Sequence, residues 1–284
     1  MLATITYKAL MDQNKRNVLI GGSILIACAV GGLLPSACAM RKSTAKPKMT
    51  MNNIPKRPVG KAKPMLEEDI KPVLARLDAW YAANLDPDRY VFNPPATDAQ
   101  LDAFEQLVGF ELPRSYRQLY KWHDGENDDR WGHLYGLPLL PLKHATAEWN
   151  SWKTILAELD GNRYAVKGAS WPEGAVDPAY INPSWIPLTS DGSGGHIGLD
   201  FDPWPGGRVG QVIIYGRDED VKFVLAESLG QFLIWIAELL ENGNFRLTSG
   251  PNEVVLRQFR LKKPRVDHFH EGARILLGAP DQFL

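Results

Sequence analysis

Two loops hold the residue types that chemistry needs. The first, WIPLTSDGSGGHIGLDFDP (residues 185–203), gathers four glycines, three aspartates, two serines and a histidine. That composition suits a phosphate cradle, a cation site or a tight turn. A phosphate cradle places its glycines between a strand and a helix whose N–H groups receive the anion. Here the glycines are followed by HIGLDF, which reads as a strand, and the lysine and Ser/Thr of a P-loop are absent. A calcium loop of the EF-hand type needs alternating oxygen ligands closed by a glutamate. Asp191, Ser193, Asp200 and Asp202 do not have that spacing. The physical reading is a hairpin in which Asp191-Gly192 supports the turn and the other glycines add backbone freedom.

The second loop, HDGENDDRWGH (residues 123–133), sets His123 and His133 around Asp124, Glu126, Asp128 and Asp129. These groups could ligate a metal, but no standard ligand spacing is met, and a solvated acidic loop explains them. His144 and His196 have no acid–nucleophile set near them in sequence, and His268 and His270 stand apart in the tail. A Ser-His-Asp set assembles only in space, but nothing in the chain resembles a nucleophile elbow. Both cysteines, Cys28 and Cys38, fall in the N-terminal apolar segment, so the body carries no disulfide, thiolate nucleophile or cysteine metal site. No residue is assigned a catalytic, cofactor-binding or metal-binding role, and the chain reads as a non-enzyme.

Charge is partitioned sharply. The 284 residues sum to a net charge of −1, yet residues 41–63 carry eight Lys/Arg and no acid, and residues 64–243 carry 14 basic and 28 acidic residues. The tail from Asn244 has seven basic and four acidic residues. A body of net −14 lacks the basic footprint of a nucleic-acid binder. It favours a basic protein partner, because complementary potentials steer encounter. The acids expected to face that partner are Asp124, Glu126, Asp128 and Asp129, with Asp218, Glu219 and Asp220. Trp122, Trp131 and Trp204 lie beside polar or Gly/Pro loops, where an aromatic either anchors an interface or is partly buried under the loop.

Several elements must position these loops. Residues 18–39 carry no charge and are long enough to span a bilayer. Residues 1–40 read as a cleaved signal ending near Ala37-Cys38-Ala39, a lipoprotein leader using Cys28 or Cys38, or an uncleaved anchor; a start at Met11, Met40, Met49 or Met51 is also open. The expectation is a membrane-associated or exported protein, with a cytoplasmic body if the segment is retained, because positive charges follow it. Residues 41–63 read as a basic flexible linker. Leu66, Ile70, Val73, Leu74, Leu77 and Trp80 share a helical face, and Thr97 with Gln100 forms a capping-box signature ahead of Leu101, Phe104 and Leu107. A short helix opens at Pro113, and ATAEWNSWKTILAEL is helical. WIPLTS, HIGLDF, GQVIIYG and VKFVLA are short β-prone runs, and Ser228 with Gln231 caps a closing helix that stops near Gly243. Helices, then clustered strands, then a helix predict an α+β fold: N-terminal helices, a central antiparallel or mixed sheet of short strands, and a closing helix.

These segments in this order resemble the SUKH superfamily, which contains the fungal Smi/Knr cell-wall-synthesis regulators and many bacterial immunity proteins. The resemblance rests on Leu112, Pro113 and Tyr116 at a turn into a helix, then Asp124-Gly125. It continues through Trp185 and Pro187, the turn at Asp191, Gly192 and Gly194, Asp200 at the end of a strand, and Gly210-Gln211-Val212. It covers residues 66–243, so the expected domain is 64–243 with a C-terminal extension at 244–284. It implies a non-enzymatic binding domain. The expected function is an immunity protein that neutralises a basic toxin through the acidic surface and Trp131. The alternative is a membrane-tethered regulator or scaffold of cell-wall synthesis.

Overall fold

A computed structural model describes residues 54–85, 92–127, 132–248 and 258–279. Residues 18–39 lie outside them; no helix among the described residues is long and apolar enough to cross a membrane. The order is α1 (Lys71–Asn84), α2 (Asp98–Val108), α3 (Arg114–Trp122), α4 (Leu142–Glu158), β1 (Ala169–Trp171), β2 (Trp185–Pro187), β3 (Gly195–Asp200), β4 (Gln211–Gly216), β5 (Val221–Ala226), α5 (Leu229–Glu241), β6 (Arg246–Thr248), β7 (Gln258–Arg260) and α6 (Phe269–Leu276). The fold is α+β, as the pattern predicts.

Local chemistry explains the helix ends. The first turn of α1 contains Pro72, whose missing N–H has no intrahelical acceptor to lose there. At α2 the capping box is complete: Gln100 N donates to Thr97 Oγ1 at 3.2 Å and Thr97 N is hydrogen-bonded to Gln100 Oε1 at 2.8 Å. Gly109 ends α2 in a left-handed conformation, φ 83°. The second capping signature closes differently. Ser228 Oγ accepts from Gln231 N, but the reciprocal partner is Glu68, which takes Gly230 N at 3.0 Å and Ser228 Oγ–H at 2.5 Å. A residue ahead of α1 therefore caps the closing helix α5.

The five-stranded sheet has the order β1-β5-β4-β3-β2, antiparallel except for the parallel β1–β5 pair. The four strands expected from sequence are β2 to β5. Strand β1 escapes the pattern because it has three residues and pairs in parallel with a strand 52 positions later, Ala169 against Val221. One face packs Ile197, Leu199, Val212, Ile214 and Phe223 against the helices. The other packs Ile213, Tyr215 and Trp185 under a loop carrying Ala175, Val176 and Ala179. Burial on both faces explains why the central strands read as continuous apolar runs.

Both ends of the expected domain continue into the body. Residues 54–63, read from composition as flexible linker, run along it, and Lys63 makes backbone hydrogen bonds with Gly207 and Val209 at 2.9 and 3.0 Å. At the other end, Leu261, Phe269 and Ala273 join the main core, and β6 pairs with β7. The Phe269 ring stacks on Tyr135 at 5.1 Å and lies 6.0 Å from Trp235. Residues 258–279 are thus integral to the fold. Phe269→Ala is expected to destabilise the protein by about 3 kcal/mol, the usual cost of emptying a buried aromatic site. Urea denaturation measures it; an unchanged midpoint would show that the tail is not part of the cooperative unit.

Candidate functional site

The glycine-rich loop is a self-contained turn. Asp191 Oδ1 accepts Ser193 N at 2.7 Å and Gly195 N at 2.9 Å, and its Oδ2 accepts Ser193 Oγ at 2.9 Å. Gly192 sits at φ 77° and Gly194 at φ 103°, the region that glycine tolerates. A Cβ on Gly195 would lie 2.4 Å from Asp191 Oδ2, so the carboxylate folds over bare backbone. The oxygens that a cation would need serve the turn itself.

Beyond the turn, the β2–β3 register sets Trp185 opposite Asp200. Asp200 is fully buried, and its carboxyl receives Trp185 Nε1 at 3.1 Å, Asp202 N at 3.0 Å and Gln211 Nε2 at 2.9 Å. Burial pushes its pKa up to about 7 despite those donors. Asp177 and Asp202 lie next to it, and Arg163 reaches them at 2.6 and 3.2 Å. Asp202 also takes Arg57 at 2.8 Å. Burial raises Asp202, but hydrogen bonds from Arg57 and Asn182 outweigh it and the net shift is downward. His196 is buried between Thr189 O, 2.9 Å from Nδ1, and Trp152 Nε1, 3.1 Å from Nε2. A carbonyl only accepts and an indole only donates, so the proton is on Nδ1 and the ring is neutral. Burial lowers its pKa accordingly. Among the described residues, no three His, Cys, Asp or Glu are grouped to hold a metal.

The acids assigned to a partner surface separate into different roles. Asp128, Asp129 and Trp131 lie outside the described residues. Asp124 Oδ1 accepts Leu142 N at 2.8 Å and caps α4. Glu126 is not on the surface: its carboxylate is enclosed and accepts Gly132 N, His133 N and Leu139 N at 2.9, 3.0 and 2.9 Å, with His133 Nδ1 3.0 Å away. Glu219 is also withdrawn, bridging His270 at 3.1 Å and Arg274 on α6. Burial raises Glu219, but those two bases outweigh it and hold the carboxylate ionised. Neighbouring Lys222 is buried, its Nζ donating to Glu219 O, and burial lowers its pKa to about 8. Asp218 and Asp220 are exposed. Of the other aromatic candidates, Trp122 Nε1 donates to Asp78 Oδ2 at 2.7 Å, and Trp204 is buried.

Two grooves went unread in the sequence. One of about 830 Å³ lies between α1 and α3 and is lined by Lys71, Arg114, Arg117 and Lys121 with Asp78 and Trp122. The spacing of Arg114, Arg117 and Lys121 on one helix face was its available signal. The other, about 470 Å³, follows β1, between Trp171, Trp204 and Pro55. Its walls come from segments far apart in the chain, so no local pattern marks it.

Two substitutions test these placements. Glu126→Ala leaves three buried N–H groups without an acceptor and is expected to cost about 3 kcal/mol in a urea melt; an unchanged midpoint would put Glu126 back on the surface. Asp200 makes stability depend on pH. An unfolded Asp loses its proton near pH 4, whereas folded Asp200 keeps it to about 7. Across that window the folded state binds the extra proton, so this group's contribution falls as pH rises. His196 acts in the opposite sense, because it is neutral when folded and protonated below about 6.5 when unfolded. Its contribution is common to wild type and Asp200→Asn, so the stability difference between them should decline from pH 4 to 7. A flat difference would overturn the assignment.

Comparison with known proteins follows the same outline. A model of the SMI1 / KNR4 family (SUKH-1) matches residues 95–235, from α2 into α5. The chain is 30% identical over 232 residues to the cell wall assembly regulator SMI1 of Saccharomyces cerevisiae, covering 68% of this chain and 46% of that protein. It is 34% identical over 194 residues to the cell wall biosynthesis/cell cycle regulator smi1 of Schizosaccharomyces pombe, covering 64% and 38%. It is 28% identical over 226 residues to a glucan synthesis regulatory protein of Neurospora crassa, covering 68% and 42%. The chain spans less than half the length of these relatives. Through the domain that holds the Leu112-Pro113-Tyr116 turn, the Trp185–Asp200 pair and the capped α5, the chain belongs to the SMI1/KNR4 family (SUKH-1).

Proposed function

We propose that this chain regulates cell-wall synthesis by binding other proteins, without catalysing a reaction. The observation that carries the reading is that relatives from three fungi are each named as regulators of wall assembly, wall biosynthesis or glucan synthesis. The chemistry inside the domain is consistent with it. The buried Glu126, Asp200 and His196 and the partly buried Glu219 are held by neighbours that fix loops, strands and α6. Neutralisation of a basic toxin has no comparable support, since Glu126 and Glu219 are withdrawn from the surface that mechanism needs. The acids left for a partner are Asp220 and Asp218, the latter also paired with Arg217 at 2.8 Å; Asp128, Asp129 and the aromatic Trp131 lie outside the described residues. An overall acidic body still argues against nucleic acid as the partner. The apolar segment 18–39 serves in this reading as a tether that keeps the domain near the site of wall synthesis.

The test is genetic and then kinetic. Deleting the gene in its host is expected to change wall-polymer content, and restoring the full chain should reverse the change. Unchanged polymer content, with protection of the host against a co-expressed toxin instead, would move the reading to immunity. With a partner in hand, the double substitution Asp218→Lys and Asp220→Lys should slow association at low salt by roughly tenfold, because steering acts between exposed charges. Stopped-flow measurements in rising salt check this; an unaltered rate removes these two acids from the interface.

A further inference from the structure

The segment Ile54-Pro55-Lys56-Arg57-Pro58 shows how the body receives an extended basic peptide. Ile54 and Arg57 both precede prolines, which biases them to extended backbone, and Pro55 and Pro58 have φ set by their rings. Such a segment loses little entropy on docking. Pro55 and Lys56 line the 470 Å³ groove beside β1, opposite Trp171 and Trp204. The Trp171 ring lies flat on Phe223 at 4.6 Å, so this wall is rigid and apolar. Two residues along from Pro55, Arg57 closes a fork on Asp202 and Pro203, just ahead of the groove-lining Trp204 in the chain. Its Nη1 donates to Asp202 Oδ1 at 2.8 Å and its Nη2 to Pro203 O at 2.7 Å.

This contact is poised for exchange. The Arg57 and Asp202 side chains are 49% and 27% exposed, and half-exposed ion pairs stabilise little. Among the described residues, the backbone of 54–62 makes no backbone hydrogen bond to the rest of the body; the first is at Lys63. Ile54 and Val59 project into solvent. The segment is therefore hinged at Lys63 and held beyond it by side chains alone. The site itself outlasts the segment's release, because Asp202 is also bound by Arg163 and Asn182 at 3.2 Å each.

We propose that the Asp202–Pro203 fork, beside the Trp171–Trp204 groove, forms a recognition site for an extended proline–arginine segment of a partner protein; in cis Arg57 fills the fork while Pro55 and Lys56 wall the groove. Asp202, already shared with Arg163, supplies the complementary charge, and Arg274 also lines the groove. A partner's segment of the same chemistry displaces the strap, so the free site is available only when the strap lets go. This rests on the reading of the domain as a protein binder and names one of its ligands.

The probe is a labelled synthetic peptide, IPKRPVG, copied from residues 54–60. Fluorescence anisotropy follows its binding to the full chain. Arg57→Ala removes the fork of the cis competitor and is expected to tighten binding by about threefold over wild type, the scale of a half-exposed ion pair in an attached competitor. Asp202→Asn in the Arg57→Ala chain should abolish that gain. The peptide IPKAPVG should bind both chains more weakly than IPKRPVG, a control on the ligand that holds even if Asp202→Asn disturbs folding. Equal binding of IPKRPVG to wild type and Arg57→Ala, or equal binding of the two peptides, would overturn the site. Because no natural partner is used, that failure leaves the wall-regulation reading standing, whereas an unchanged wall after gene deletion with peptide binding intact overturns only that reading.

Discussion

A carboxylate taken out of water must be met by donors, and this requirement ties the fold together. Charge burial without partners is costly enough that each buried or partly buried acid recruits donors from wherever the chain can supply them. Glu126 draws in Gly132, His133 and Leu139 and so shapes the loop after α3. Glu68, ahead of α1, caps α5. Asp200 joins β2, β3 and β4 through Trp185 and Gln211. Glu219 fastens α6 to the turn before β5. These acids connect segments that the apolar core alone would bring near but would not orient.

The same requirement changes the meaning of the acidic composition. A net charge of −14 over residues 64–243 suggests a broad negative face. Several of its charges are instead internal fasteners, and others are paired on the surface, as Asp98, Asp102 and Glu105 are around Arg117. What remains for recognition is more local: the exposed Asp220, Asp218 beside its partner Arg217, and the recess where Asp202 holds an arginine. A regulator that works by binding gains selectivity from this. A few placed charges beside a rigid aromatic wall discriminate between partners better than a uniform field, which mainly raises encounter rates.

Sheet architecture decides where recognition can occur. Strands β3 and β4 are enclosed on both faces, so the sheet offers ligands its edges rather than its surface. At the β1 edge the parallel ladder uses Ala169 N to bond Asp220 O, and by the alternation of such ladders the N–H and C=O of Ser170 point away from β5. Pro55 and Lys56 of the chain's own N-terminal strap line the same groove as Trp171 at this edge.

Much of this fold was legible in the order of residues, because its signals are local. Thr97 and Gln100 are three positions apart and meet wherever the segment is helical. Asp191-Gly192 makes its turn with its own neighbours, and β2 to β5 announce themselves by apolar runs between Gly, Pro and Asp. The family outline follows from the same local features. Burial is not local. Glu126 and Asp128 are two residues apart and indistinguishable by type, and only the packing of Gly132 and Leu139 around Glu126 assigns it to the interior. Strand β1, three residues long, exists because β5 offers it a partner. The strap at residues 54–63 reads as linker by composition, and its docking depends on an aspartate 145 positions away. Sequence determined the elements, their caps and the class of fold; tertiary structure decided which charges face inward and where Arg57 docks, since desolvation and long-range pairing depend on neighbours that a linear pattern does not contain.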